Sequence, residues 1–139
     1  VCKEDILLHL AKELQGYGLV GEEYGAAVLE REKEFPTGLP TEPICVAIPH
    51  SDKQYVLRSG VAIAKLKNPV VFKNMGAPEE DLDVKLIFLL AVPRDEEKVP
   101  MIQSVVELVQ DQEVLIHLLQ AETEKELVEI VQRYSNCKR

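Results

Sequence analysis

The nine residues Val84 to Val92 read Val-Lys-Leu-Ile-Phe-Leu-Leu-Ala-Val. The run is far shorter than the ~20 apolar residues a membrane-spanning helix needs. It is also too uniformly apolar for a strand with one face in water. It therefore predicts a strand buried on both faces, the centre of an α/β sheet. Pro93 stops it. A strand of that kind needs covering layers on both sides, and the rest of the chain supplies them as amphipathic helices.

Lys3 to Gln15 predicts a helix with the stripe Ile6, Leu7, Leu10, Ala11 and Leu14, ended by Gly16 and Gly18. Asp5, His9, Lys12 and Glu13 fall on its other face. Glu22 to about Lys33 predicts a second, with Tyr24, Ala27, Val28 and Leu29 inward. Pro36, Gly38, Pro40 and Pro43 exclude regular structure until about Ile44. Strands are expected at Ile44 to Ile48, Gly60 to Leu66 and Val70 to Phe72, with a turn at Asn68-Pro69 and a polar loop from Asn74 to Asp81. Ser51 to Arg58 reads as an irregular or short helical connection.

After the central strand, Asp95 to Lys98 reads as a charged loop, and Pro100 suits the first turn of a helix to about Val109. A helix over Glu113 to Ala121 places Val114, Leu115, Leu118 and Leu119 inward and His117 outward. Thr123-Glu124-Lys125-Glu126 is a capping box opening the last helix. The whole, residues 1–139, is expected to form one α/β sandwich, with helices on both faces of a mostly mixed sheet.

A net charge of −8 argues against nucleic acid or an anionic membrane surface as partner. The start carries no positively charged segment followed by an apolar one, so no signal peptide is expected. The chain opens on Val1 rather than Met, as a piece of a longer protein would. Cys2, Cys45 and Cys137 are odd in number and not closely paired, which suggests free thiols in a reducing, cytoplasmic compartment. Cys45 sits among apolar residues and reads as a packed small side chain. No His/Cys cluster has metal-ligand spacing, so no metal or other cofactor is expected.

The chemistry concentrates between Glu30 and His50. A charged helix end carrying Arg31-Glu32 runs into Phe35-Pro36-Thr37-Gly38, and the run Val46-Ala47-Ile48 ends at Pro49-His50. These residues resemble the type-2 IIA domains of the bacterial phosphoenolpyruvate:sugar phosphotransferase system (PTS), the fructose–mannitol family. The Phe-Pro-Thr-Gly form of the loop most resembles the galactitol-specific branch. The resemblance covers most of the chain and implies a mixed sheet of about five strands. It implies that His50 takes a phosphoryl group from the phosphocarrier protein HPr, through Nε2, and passes it to a cysteine of the IIB component. The sugar or polyol is then bound by the membrane component IIC. Mannitol-type relatives carry a second histidine after the central strand; here Glu96 to Met101 has none.

Imidazole suits this role because it is a nucleophile when neutral and a leaving group when protonated. Arg31 matches the family's arginine, and its guanidinium fork is expected to bind the phosphoryl oxygens. Thr37, Gly38 and Ser51 are candidate phosphate contacts through hydroxyl or backbone N–H groups. Asp52 reads as solvated; Lys98 could supply charge where mannitol-type relatives have the second histidine, but a solvated surface lysine is the better reading. A regulatory IIA-like module, phosphorylated on the same histidine and read by a protein partner, uses the same residues. A hydrolase using His50 as general base lacks a paired nucleophile, since no GxSxG occurs.

Overall fold

The structure, a computed structural model, describes residues 2–137. Two helices come first, α1 (Lys3–Gly16) and α2 (Tyr24–Glu34). They are followed by strands β1 (Gly38–Leu39) and β2 (Cys45–Ala47), and a 3₁₀ turn at Lys53–Tyr55. The long strands β3 (Gly60–Asn74) and β4 (Ala77–Ala91) follow, then helices α3 (Asp95–Gln110), α4 (Gln112–Gln120) and α5 (Glu124–Cys137).

The α/β class is as expected, but four strands form the sheet rather than five, in the order β1-β2-β4-β3. β2 runs parallel to β4, and the β1–β2 and β3–β4 pairs are antiparallel, so the sheet is mixed. A single parallel pair, Gly38 with Asn74, joins β1 to β3 and closes the ring.

The lower count has a local cause. Gly60 to Phe72, expected as two strands about an Asn68-Pro69 turn, is one strand with a ladder gap between Lys65 and Val70. The expected Asn74–Asp81 loop is mostly strand, and the hairpin turns at Met75 and Gly76. There the Asn74 side chain accepts the Gly76 N–H at 2.9 Å. Pro69 and Pro78 both fall where the ladder skips, Pro78 between the pairs Asn74–Ala77 and Lys73–Asp81. Neither missing N–H therefore costs a ladder bond.

β4 is covered on both faces, as its apolar run required. Leu82, Val84, Ile87, Leu89 and Ala91 join Leu7, Leu10, Ala11 and Leu14 of α1 and Tyr24 and Val28 of α2. Leu86, Phe88, Leu90 and Val92 join Leu108, Val109, Leu115, Leu118 and Leu127 of the last three helices. The alternation changes phase at Lys85, where β4 carries an extra residue between its pairings with Cys45 and Val46. Fully burying one such Leu or Phe contributes about 1.5–3 kcal/mol, so both layers are needed to hold the strand.

Helix ends differ in detail from expectation. α3 already begins at Asp95, and Pro100 lies inside it, beyond the first turn. Asp111 caps α4 through the N–H groups of Glu113 and Val114. Thr123 accepts the Glu126 N–H at 3.2 Å, while the Glu126 carboxylate takes the N–H of Glu122 rather than that of Thr123. Lys65 reaches from β3 to donate to the carbonyls of Leu119 and Ala121, and so satisfies the end of α4.

Gly38 lies where the ring closes. A Cβ there would stand 2.5 Å from the Lys73 carbonyl oxygen, a backbone atom that a rotamer change cannot move aside. Gly38→Ala should therefore separate β1 from β3 and lower stability by about 1–3 kcal/mol, the range for overpacking. Chemical denaturation with an unchanged m-value checks this; a neutral substitution would mean that the closure yields freely.

Candidate functional site

β2 delivers His50. The chain leaves β2 through Ile48 and Pro49, and His50 forms an isolated parallel bridge with Leu90 of β4. The Leu90 N–H donates to the Pro49 carbonyl at 3.0 Å. On the other side, the Ile48 N–H donates to the Thr37 carbonyl at 3.2 Å. The residues before the histidine are thus held between the loop ahead of β1 and the central strand. Tyr24, fully buried on α2, donates its hydroxyl to the Leu90 carbonyl, tying the first helical layer to the same point.

His50 is buried, 7% exposed as a residue. Its Nδ1 lies 3.0 Å from the Ile48 carbonyl oxygen. A carbonyl only accepts, so Nδ1 carries the hydrogen and Nε2 keeps its lone pair. Burial pushes the His50 pKa below its ordinary value. The Ile48 hydrogen bond opposes that shift, the charges of Arg31 and Lys98 add to it, and Asp52 opposes it. The ring is accordingly neutral at physiological pH.

Arg31, near the C-terminal end of α2, is 25% exposed in its side chain and stacks on Phe35, its Cζ 5.1 Å from the ring centroid. Nη1 lies 3.5 Å from Asp52 Oδ1, a long contact to an exposed carboxylate. Nε is buried and has no hydrogen-bond partner among the described residues. An unsatisfied buried donor costs about 1–3 kcal/mol, more for a charged group, so an anion accepting from it would recover that cost. Arg31 lines a cleft of about 550 Å³ together with Ser51, Asp52, Phe35 and Tyr55. Asp52 is thus exposed, as expected, yet also in contact with the arginine.

Thr37 and Gly38 lie beside the site with other tasks. The Thr37 N–H and hydroxyl both donate to the Glu32 carboxylate at 2.8 Å. The hydroxyl proton expected for phosphate is therefore already given to Glu32. Gly38 has a structural reason of its own, since a Cβ there would meet the Lys73 carbonyl. Ser51 is buried next to His50 and borders the Arg31 cleft.

Reading the sequence left Glu32 without a role of its own. The structure makes it a buried clip between the end of α2 and the loop, its carboxyl pKa raised by burial and lowered in part by the two Thr37 hydrogen bonds. An acidic residue five positions ahead of a threonine across a Phe-Pro break was the available signal. Lys98, expected in water, is half-buried and close enough to influence His50.

His9 and His117 are exposed, as their helical phases predicted, and His9 pairs with Glu13 at 3.1 Å. Cys45 is half-buried, its thiol pKa raised chiefly by burial, which suits a packing residue rather than a nucleophile. Among the described residues no group of three or more His, Cys, Asp or Glu side chains could hold a metal, and no helix is long and apolar enough to cross a membrane.

Comparison with known proteins fits this arrangement. The galactitol-specific EIIA component of Escherichia coli K12 is 25% identical over 119 residues, covering 86% of this chain and 79% of that protein. The complex of enzyme IIAMTL with phosphorylated enzyme IIBMTL from Escherichia coli contains a similar fold. It gives a TM-score of 0.77 at 26% identity, over 95% of this chain and 88% of that one. The transcriptional regulator ManR of Bacillus subtilis is 30% identical over 92 residues, 66% of this chain and 13% of that protein. The family model described as phosphoenolpyruvate-dependent sugar phosphotransferase system, EIIA 2, matches residues 2–134. The chain belongs to that family, whose members are phosphotransferase proteins.

Proposed function

We propose that this protein is the phosphocarrier IIA component of a sugar or polyol phosphotransferase system, galactitol-like, that works in the cytoplasm. It accepts a phosphoryl group from phospho-HPr on His50 Nε2 and passes it to a IIB cysteine. The membrane permease IIC is engaged only indirectly, through IIB. The observation that carries this reading is the state of His50: buried, neutral, its Nδ1–H held by the Ile48 carbonyl and Nε2 left as the nucleophile. The likeness to a IIA–IIB complex supports the choice of acceptor.

In the first step the Nε2–P bond forms as the donor's P–N bond breaks, and the donor imidazole keeps that electron pair. In the second, a IIB thiolate forms the S–P bond while the Nε2–P electron pair returns to His50. The proton stays on Nδ1 throughout, donated in a hydrogen bond to the Ile48 carbonyl. Such transfers depend on positioning and on neutralising charge on the equatorial oxygens. Arg31 is assigned the second task, and its buried Nε–H, without an acceptor among the described residues, supports that role. Ser51 is the remaining hydroxyl beside the ring, whereas Thr37 and Gly38 act by fixing the loop.

A second reading, a regulatory module whose phosphorylation on His50 is sensed by a partner, draws support from the match to part of a transcriptional regulator. Incubating the chain with phosphoenolpyruvate, enzyme I and HPr, then adding IIB proteins, separates the two. A cognate IIB drains the label in the carrier reading, and none does so in the regulatory one.

Label from phospho-HPr should be acid-labile and alkali-stable, as for a phosphoramidate. It should vanish in His50→Gln while persisting in His9→Gln and His117→Gln with the fold intact by circular dichroism. Acid-stable label, or label lost with His117, would contradict the one-histidine carrier.

Arg31→Lys keeps the charge but loses the fork. It should slow transfer by an amount equivalent to roughly 2–4 kcal/mol, the value of a transition-state oxyanion donor. Transfer at the unmodified rate would reduce Arg31 to a helix-end residue.

An NMR titration of His50 should give a midpoint below the ordinary 6.5. Because burial disfavours the imidazolium, the nucleophilic neutral form persists as pH falls through 6.5 and is lost only below the lowered midpoint. A midpoint at or above 6.5 would place the ring in water or beside a dominant carboxylate.

A further inference from the structure

A carboxylate is seldom buried unless its oxygens are engaged. Glu32, in the last turn of α2, is buried, and both its oxygens accept from one residue. The Thr37 N–H donates to Oε2 and the Thr37 hydroxyl to Oε1, each at 2.8 Å. A carboxylate has no hydrogen of its own and so accepts from both groups at once, whereas a glutamine there would offer one acceptor and one donor. Burial raises the Glu32 pKa, and the two Thr37 hydrogen bonds and the charge of Lys3 oppose that shift.

The residue so held stands at a weak point of the sheet. β1 is two residues long, with Gly38 facing Ala47 and Leu39 facing Val46. The rung that prolongs this ladder towards His50 lies outside both strands: the Ile48 N–H donates to the Thr37 carbonyl at 3.2 Å. A terminal rung beside so short a strand frays readily. The preceding residue, Pro36, has no N–H with which to anchor it. Glu32 supplies the anchor, fixing the N–H and the side chain of Thr37 and with them the direction of its carbonyl. The Ile48 carbonyl in turn accepts from His50 Nδ1 at 3.0 Å. Glu32, Thr37, Ile48 and His50 are all buried, so no water competes for these links.

We propose that Glu32 is a positioning residue for phosphoryl transfer, which acts through Thr37 and Ile48 to hold His50 in the tautomer whose Nε2 reacts. The inference rests on the reading of His50 as phosphoryl acceptor and deepens it by naming what aims the nucleophile. Neighbouring residues of α2 then have separate duties. Arg31 lines the cleft, and Glu32 sets the rung from which the histidine hangs. Among the described residues Glu32 makes no hydrogen bond to the ring, and no bond to it forms or breaks in the transfer.

The test uses the full chain, with the nitrogen signals of the His50 ring and the rate of transfer from phospho-HPr as readouts. Glu32→Met keeps the length of the side chain and removes both acceptors. It should turn the single Nδ1–H form into a mixture of tautomers and slow transfer by roughly ten- to a hundredfold, the upper end being the effect of a misplacement of about 1 Å. The KM for phospho-HPr should stay unchanged. Glu32→Gln keeps an acceptor for the Thr37 N–H and should recover most of both losses. A Glu32→Met chain that melts at a lower temperature but keeps the unmodified tautomer and rate would overturn the proposal, because the clip would then be structural only. So would a Glu32→Gln chain as defective as Glu32→Met, since the buried charge and not the hydrogen bonds would then govern the ring. Should Glu32→Met fail to fold, Thr37→Val decides: it loses only the hydroxyl bond and should shift the tautomer and the rate in the same direction by less, and an unmodified tautomer and rate would overturn the proposal. If phospho-HPr labels no form of the chain, the carrier reading fails on its own, and the tautomer still reports whether Glu32 positions His50.

Discussion

The peptide of Ile48 is the constraint on which the site depends. Its N–H is held by the Thr37 carbonyl, and its own carbonyl holds Nδ1 of His50. Thr37 is fixed in turn by the Glu32 carboxylate through two hydrogen bonds, and Pro49 accepts the Leu90 N–H. The histidine therefore inherits its position from four segments: the end of α2, the loop before β1, the end of β2 and the central strand. Each link is a modest hydrogen bond, worth about 0.5–1.5 kcal/mol net, but each lies in a place that water does not reach. Losing one buries an unsatisfied polar group, so the frame is stiffer than its individual bonds suggest.

Around that frame the electrostatics run against the protein's overall balance. A chain of net charge −8 repels a phosphoryl group unless cations stand where it arrives. Arg31 stacks on Phe35 and makes only a long contact to Asp52, and its charge contributes to lowering the His50 pKa. A tight carboxylate partner would have satisfied the guanidinium and left nothing for the substrate. Burial lowers the His50 pKa and so keeps the ring neutral, the form that the proposed transfer needs.

Much of this was legible in the residues. The apolar run in β4 required two covering layers, and helical periodicity placed Leu7, Leu10, Ala11 and Leu14 correctly. Pro49 ahead of His50 marked the end of the strand run. What could not be read depends on contacts between distant segments. Pro69 and Pro78 look like strand breakers, yet each falls in a ladder gap that only the pairing of β3 with β4 creates. The packing need for glycine at position 38 shows only once the Lys73 carbonyl is seen against it. Thr37 looks like a phosphate donor until Glu32 is found accepting its proton.

The central claim is that backbone geometry selects one tautomer of His50 and reserves Nε2 for chemistry. Long-range ¹H–¹⁵N correlation of the imidazole in the unphosphorylated protein at neutral pH tests it directly. A single neutral form with Nδ1 protonated and Nε2 bearing the lone pair is the predicted result. A ring protonated on Nε2, or one averaging between tautomers as free imidazole does, would show that the Ile48 carbonyl does not hold it.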